Sequence, residues 1–168
     1  MKTLPNLLDD QAEARQSHPA IVLPGHTYTY GEFRDQANLI AKGLLAMGVE
    51  AGDRVGYFLL DCPESLPILY GILKTGAIAV PVNNRFKSYE LGKVLSQCGL
   101  SVLFTAPPKS EDATDLVALL NEVKDDLPAL GKIISIDPDN AAGFISWVEF
   151  CDGNASVADA DLSTRQAA

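Results

Sequence analysis

Between Val55 and Ile136 the chain repeats one pattern, a short apolar run followed by a segment with apolar residues at helical spacing. The runs are Val55–Leu60, Ala77–Val82, Ser101–Thr105 and Lys132–Ile136. They are continuous instead of alternating, and a strand of that kind is covered on both faces. The segments between them carry helical stripes. Ser65 to Lys74 is mostly apolar, with Pro67 near its start, where proline is tolerated. Ser88 is expected to cap a helix bearing Leu91, Val94, Leu95 and Cys98. Leu116, Leu119, Leu120, Val123 and Leu127 mark a further stripe, closed by Pro128 and Gly131. Connections of a few residues between such units call for an α/β fold, a mainly parallel sheet with helices on both faces.

The chain reaches that repeat through a different region. Asn6 to Gln16 fits a short helix, stopped at His18-Pro19 because the residue before proline is pushed out of the helical region. Ala20–Leu23 and His26–Thr29 flank Pro24-Gly25, which predicts a short N-terminal hairpin. Thr29-Tyr30-Gly31-Glu32 has the spacing of a capping box. Phe33, Ala37, Ile40, Ala41 and Leu44 then share one helical face, and Gly48 closes that helix in the left-handed conformation. After Asp139 the signals weaken: Phe144 to Phe150 suggests one short element, and residues 139–168 as a whole are expected to be a weakly structured tail.

Composition narrows the functions available. The 168 residues suit one domain, with 47% apolar and 21% charged residues, as in a soluble globular protein. MKTLPNLLDDQ is interrupted by Pro5, Asp9 and Asp10, unlike a secretory signal. The longest apolar stretch, Leu66 to Leu73, is cut by Pro67 and is too short to span a membrane. Three cysteines, at 62, 98 and 151, are odd in number and lack metal-ligand spacing, which fits a reduced, cytoplasmic location. The formal net charge is −9. Residues 1–105 hold nine Lys and Arg against ten Asp and Glu, and residues 106–168 four against twelve. Neither stretch offers the basic field that nucleic acid or an anionic membrane would need.

Open parallel sheets bind ligands at the carboxyl ends of their strands. Here those ends are Asp61-Cys62-Pro63, Pro81-Val82-Asn83-Asn84-Arg85, Thr105-Ala106-Pro107 and Asp137-Pro138. None forms a phosphate cradle: no G-x-G-x-x-G follows a strand and no G-x-x-x-x-G-K-[ST] occurs. Gly48, Gly52 and Gly56 are wrongly spaced and precede a strand. His18 and His26 lack partners, and Cys98 sits on an apolar stripe as a core thiol. Cys62 also fits packing better than reactivity. Asp61 and Ser65 are expected as helix-start caps. Arg85 stands apart. In a loop beside two Asn it either pairs with Glu90 or solvent, or meets a phosphate. No residue is assigned a catalytic or metal-binding role.

Two blocks carry a resemblance. Thr29-Tyr30-Gly31-Glu32-Phe33 and Leu73-Lys74-Thr75-Gly76-Ala77, the latter followed by Val80-Pro81-Val82, are similar to the N-terminal portion of the adenylate-forming superfamily. The similarity runs from about Leu7 to Ile136. "VPVNNRFKSYEL" resembles the acyl-CoA synthetases more than peptide-synthetase domains. The resemblance implies a parent that joins a carboxylate to ATP as an acyl-adenylate and then transfers the acyl group to CoA, with Mg2+ accompanying the nucleotide. It also implies that Arg85 could lie near the CoA nucleotide phosphates.

The family's Ser/Thr/Gly-rich phosphate loop, its later aromatic-threonine-glutamate block, its ribose-binding aspartate and the lysine of its small C-terminal domain are all absent from these 168 residues. The expectation is therefore a single partial domain, an N-terminal fragment of an acyl-CoA synthetase that is inactive alone. Its partner would be the remainder of the enzyme, and self-association would follow from an apolar face meant for that remainder. The alternative is a non-catalytic, flavodoxin-like binding or regulatory module. It fits less well, because Asp61 and Asp137 are isolated and Lys132 opens its strand.

Overall fold

The structure is a computed structural model, and it describes residues 2–60, 62–108, 110, 113–127, 130–137 and 143–153. Asp61, an expected helix-start cap, lies outside them, as do residues 139–142 and 154–168 of the expected tail. Two compact units emerge. The first comprises residues 1–52 and 62–78, and the second residues 53–61 and 79–152.

The first unit opens with helix α1 (Leu4–Ala14), whose start is capped by Thr3 Oγ1 accepting from Asn6 N. Strands β1 (Pro19–Leu23) and β2 (His26–Thr29) pair antiparallel as the expected hairpin. Helix α2 (Tyr30–Ala46) begins on the capping box that the sequence predicts. Glu32 N donates to Thr29 Oγ1 over 3.2 Å, and Thr29 N donates to Glu32 Oε2 over 2.8 Å. Gly48, at φ 85°, ends the helix, and Val49 N returns to Leu44 O at 3.0 Å. Helix α3 (Ser65–Lys74) packs against α2 through Gly71. A methyl group there would lie 2.6 Å from Ile40 Cγ2 and 3.1 Å from the Ala37 carbonyl, so the helices touch where only hydrogen fits. Leu8, Phe33 and Ala37 form a small core with Ile21, Tyr28 and Tyr70 around it.

The second unit is built on a four-stranded sheet in the order β4 (Ile78–Pro81), β3 (Arg54–Phe58), β5 (Val102–Thr105), β6 (Lys132–Ser135). Pro81 is tolerated because β4 lies at an edge. The β3–β5 and β5–β6 ladders are parallel. Leu103, Phe58 and Ile133 share one face and pack on helices α4 (Ser88–Cys98) and α5 (Leu116–Val123), with Leu91, Leu95, Leu116 and Leu120 in the same core. On the other face Phe104 meets Phe150 of helix α6 (Trp147–Asp152) edge to face, centroids 5.5 Å apart. All four residues of β5 are buried, as its continuous apolar run requires. A 3-10 turn, Lys124–Asp126, follows α5.

Two expected caps change. Ser88 is the first residue of α4, not its cap. The Glu90 carboxylate accepts instead from Lys87 N at 2.8 Å, and Ser88 Oγ donates to Glu122 on α5. Ser65 likewise opens α3, with Glu64 preceding it and making no side-chain cap bond.

Candidate functional site at the carboxyl edge of the sheet

Strand order fixes where a ligand edge can lie. From β3 the chain goes outward to β4, then crosses back to β5 on the other side of β3. The crevice outside the carboxyl ends of β3 and β5 is therefore the point where the winding reverses, the usual ligand position in open α/β sheets.

The loop after β4 is built by its two asparagines. Asn84 Nδ2 donates to the Leu59 carbonyl at 3.0 Å, pinning the loop to the end of β3. Asn83 Oδ1 accepts from Arg85 N at 3.0 Å, and Phe86 N donates to Asn83 O at 3.2 Å. Both side chains are thus spent on the loop's own shape. What they present is Arg85, which is exposed. Among the described residues its guanidinium forms no ion pair, and Glu90 is engaged with the Lys87 amide.

At the ends of β5 and β6 stand Thr105 and Ser135, register partners that are fully buried. Neither was singled out by sequence reasoning, because hydroxyl residues at strand ends are common and nothing in their spacing reports burial.

Elsewhere the chemistry is structural. Cys62 is buried with Sγ 3.1 Å from Ser65 Oγ, and Cys98 is packed against the core of the second unit. Burial pushes the Cys151 thiol up to about 11, away from reactivity. Tyr57, on β3, is also raised by burial. Lys74, at the end of the apolar α3 stretch, is 1% exposed and bonded to Asp9. Among the described residues no group of three or more His, Cys, Asp or Glu side chains converges as metal ligands would. No helix among them is long and apolar enough to cross a membrane.

Comparison with known proteins agrees with this architecture. The family model of the AMP-binding enzymes matches residues 8–162. Acyl-CoA ligase SID4 of Ajellomyces capsulatus is 34% identical over 107 residues, covering 62% of this chain and 18% of that protein. The putative acyl-CoA synthetase YngI of Bacillus subtilis (strain 168) is 28% identical over 176 residues, covering 97% of this chain and 32% of that one. The crystal structure of a putative long-chain-fatty-acid CoA ligase from Rhodopseudomonas palustris superposes with a TM-score of 0.79 at 26% identity, over 92% of this chain and 37% of that chain. The chain therefore spans less than two fifths of each of these relatives. With the family model matched over residues 8–162, the chain belongs to the AMP-binding enzyme family.

Proposed function

We propose that these residues are the N-terminal portion of an acyl-CoA synthetase, an enzyme that activates a carboxylic acid as its adenylate and passes the acyl group to the thiol of CoA. The observation that carries this reading is the family match over residues 8–162, together with the CoA-ligase similarity of "VPVNNRFKSYEL". Strand order alone would also suit a flavodoxin-like module, and the family match supports the synthetase reading instead.

ATP and Mg2+ do not fit the residues described. No glycine-rich loop cradles a triphosphate, and no acidic group gathers around an ion. Catalysis of phosphoryl chemistry needs preorganised donors, and in this reading they belong to sequence absent from the 168 residues. The chain alone is then inactive. CoA is different, because the exposed Arg85 guanidinium suits a nucleotide phosphate.

The reading places the protein in the cytoplasm and its surroundings within a longer enzyme. Leu4, Leu7, Val22 and Leu66 of the first unit are each more than 40% exposed. Self-association of the isolated chain follows, and a monodisperse monomer in light scattering at high concentration would count against it.

The test is ATP–pyrophosphate exchange with a panel of carboxylic acids, on this chain and on a version extended to the length of its relatives. Exchange is expected in the extended protein only. Exchange in the short chain would overturn the fragment reading, and none in either would overturn the enzyme.

A further inference from the structure

Thr105 and Ser135 are register partners on the parallel β5–β6 ladder, at the carboxyl ends of both strands. They alternate in step with Leu103 and Ile133, so they share the sheet face that packs on α4 and α5. Both residues are 0% exposed, and Thr105 Oγ1 and Ser135 Oγ hydrogen-bond to no group among the described residues. Beyond β6 the row continues. Ile134 pairs in parallel with Ile145, and Ser135 N donates to Ile145 O at 2.9 Å, which makes Ser146 the next residue in register. Ser146 is 7% exposed, and its Oγ accepts from Glu149 N at 3.1 Å at the start of α6.

A buried hydroxyl without a partner forfeits its hydration, and nearly all such groups in folded proteins are satisfied. Two of them side by side point to a shared ligand. Neighbouring strands stand about 4.8 Å apart, too far for a direct bond between two perpendicular side chains. A single water spans such a gap, because two bonds of about 2.8 Å reach it. We propose that Thr105 Oγ1 and Ser135 Oγ hold one buried water molecule between them. The site ties the carboxyl ends of β5 and β6 together, beside the crevice at the ends of β3 and β5.

Two measurements test it. A crystal structure of this chain at atomic resolution should show a water within about 3.2 Å of both oxygens. An empty gap, or a direct bond between the two hydroxyls, would overturn the site. In urea unfolding, Thr105→Val and Ser135→Ala should be strongly non-additive: either one alone strands the water and the remaining hydroxyl, and the second then costs little. A coupling of roughly fivefold or more in the unfolding equilibrium constant is expected. Additive effects would sink the shared ligand. Should the double variant not fold, the wild-type density decides alone.

Discussion

The Lys74 ammonium, 1% exposed at the end of α3, stands 2.6 and 2.9 Å from the two carboxylate oxygens of Asp9 on α1. Burial lowers its pKa from the ordinary 10.5, and the hydrogen bond and charge of Asp9 act against that shift. The pair fixes α1 on α3 across 65 positions of sequence.

Removing Asp9 alone should therefore cost more than removing the lysine. Asp9→Asn removes the carboxylate that faces this buried cation and, since Asp9 keeps 31% of its side chain exposed, should lose about 2 kcal/mol. Lys74→Met should stay within about 1 kcal/mol of wild type. The pH dependence follows from the sign of the shift. A lysine with a depressed folded pKa holds fewer protons folded than unfolded, so stability rises with pH between that value and 10.5. Asp9→Asn depresses it further, so the variant's deficit should shrink between pH 7 and pH 10. Urea titrations of both proteins at the two pH values check this.

Gly71 sets the distance between α2 and α3. Alanine is the better helix former by about 1 kcal/mol, yet its methyl would sit 2.6 Å from Ile40 Cγ2 and 2.7 Å from Ile40 Cβ. The second of these atoms cannot swing away. Gly71→Ala should thus destabilise by about 1–3 kcal/mol by thermal or urea unfolding. Ile40→Ala in the same chain should give no rescue, because the Cβ and the Ala37 carbonyl at 3.1 Å remain.

The capping box gives an acid-range signature. The Thr29 amide, and after it the Thr29 hydroxyl, hold the Glu32 carboxyl below its ordinary 4.5. A depressed carboxylate stabilises the fold above its ordinary pKa, and that contribution fades as pH falls through the folded value. Glu32→Gln should therefore flatten the acid limb of the stability profile below about pH 4.5. Thr29→Ala, which strips the cap from the Glu32 amide, should cost about 1 kcal/mol at neutral pH.

The strands and most helices could be read from the chain because each apolar run must be covered and each stripe must face a core. The order of the strands could not. Nothing in Val55–Leu60 says that β5, not β4, continues the sheet on its far side, and that choice defines the crevice. Caps slipped by one residue at Lys87/Ser88, since a hydroxyl that would cap in isolation was claimed by Glu122, 34 positions away. The burial of Lys74 could not be read either, because its partner Asp9 lies 65 positions away. At the site, Asn83 and Asn84 could be located but not understood, because their partners are backbone atoms.

Arg85 carries the prediction closest to chemistry. Asn83 and Asn84 shape its loop, and its guanidinium is exposed and unpaired among the described residues. In an enzyme extended to the length of its relatives, a charge-assisted bond from Arg85 to a CoA phosphate would contribute about 1.5 kcal/mol, near the low end for such bonds because water screens the site. Arg85→Ala should then raise the KM for CoA on the order of tenfold, with pyrophosphate exchange unchanged, since exchange does not involve CoA. Arg85→Lys should fall between, keeping the charge but losing the fork. Salt provides the internal control: added KCl should raise the wild-type KM for CoA more steeply than that of Arg85→Ala. An unchanged KM in Arg85→Ala at low salt would return this arginine to ordinary surface.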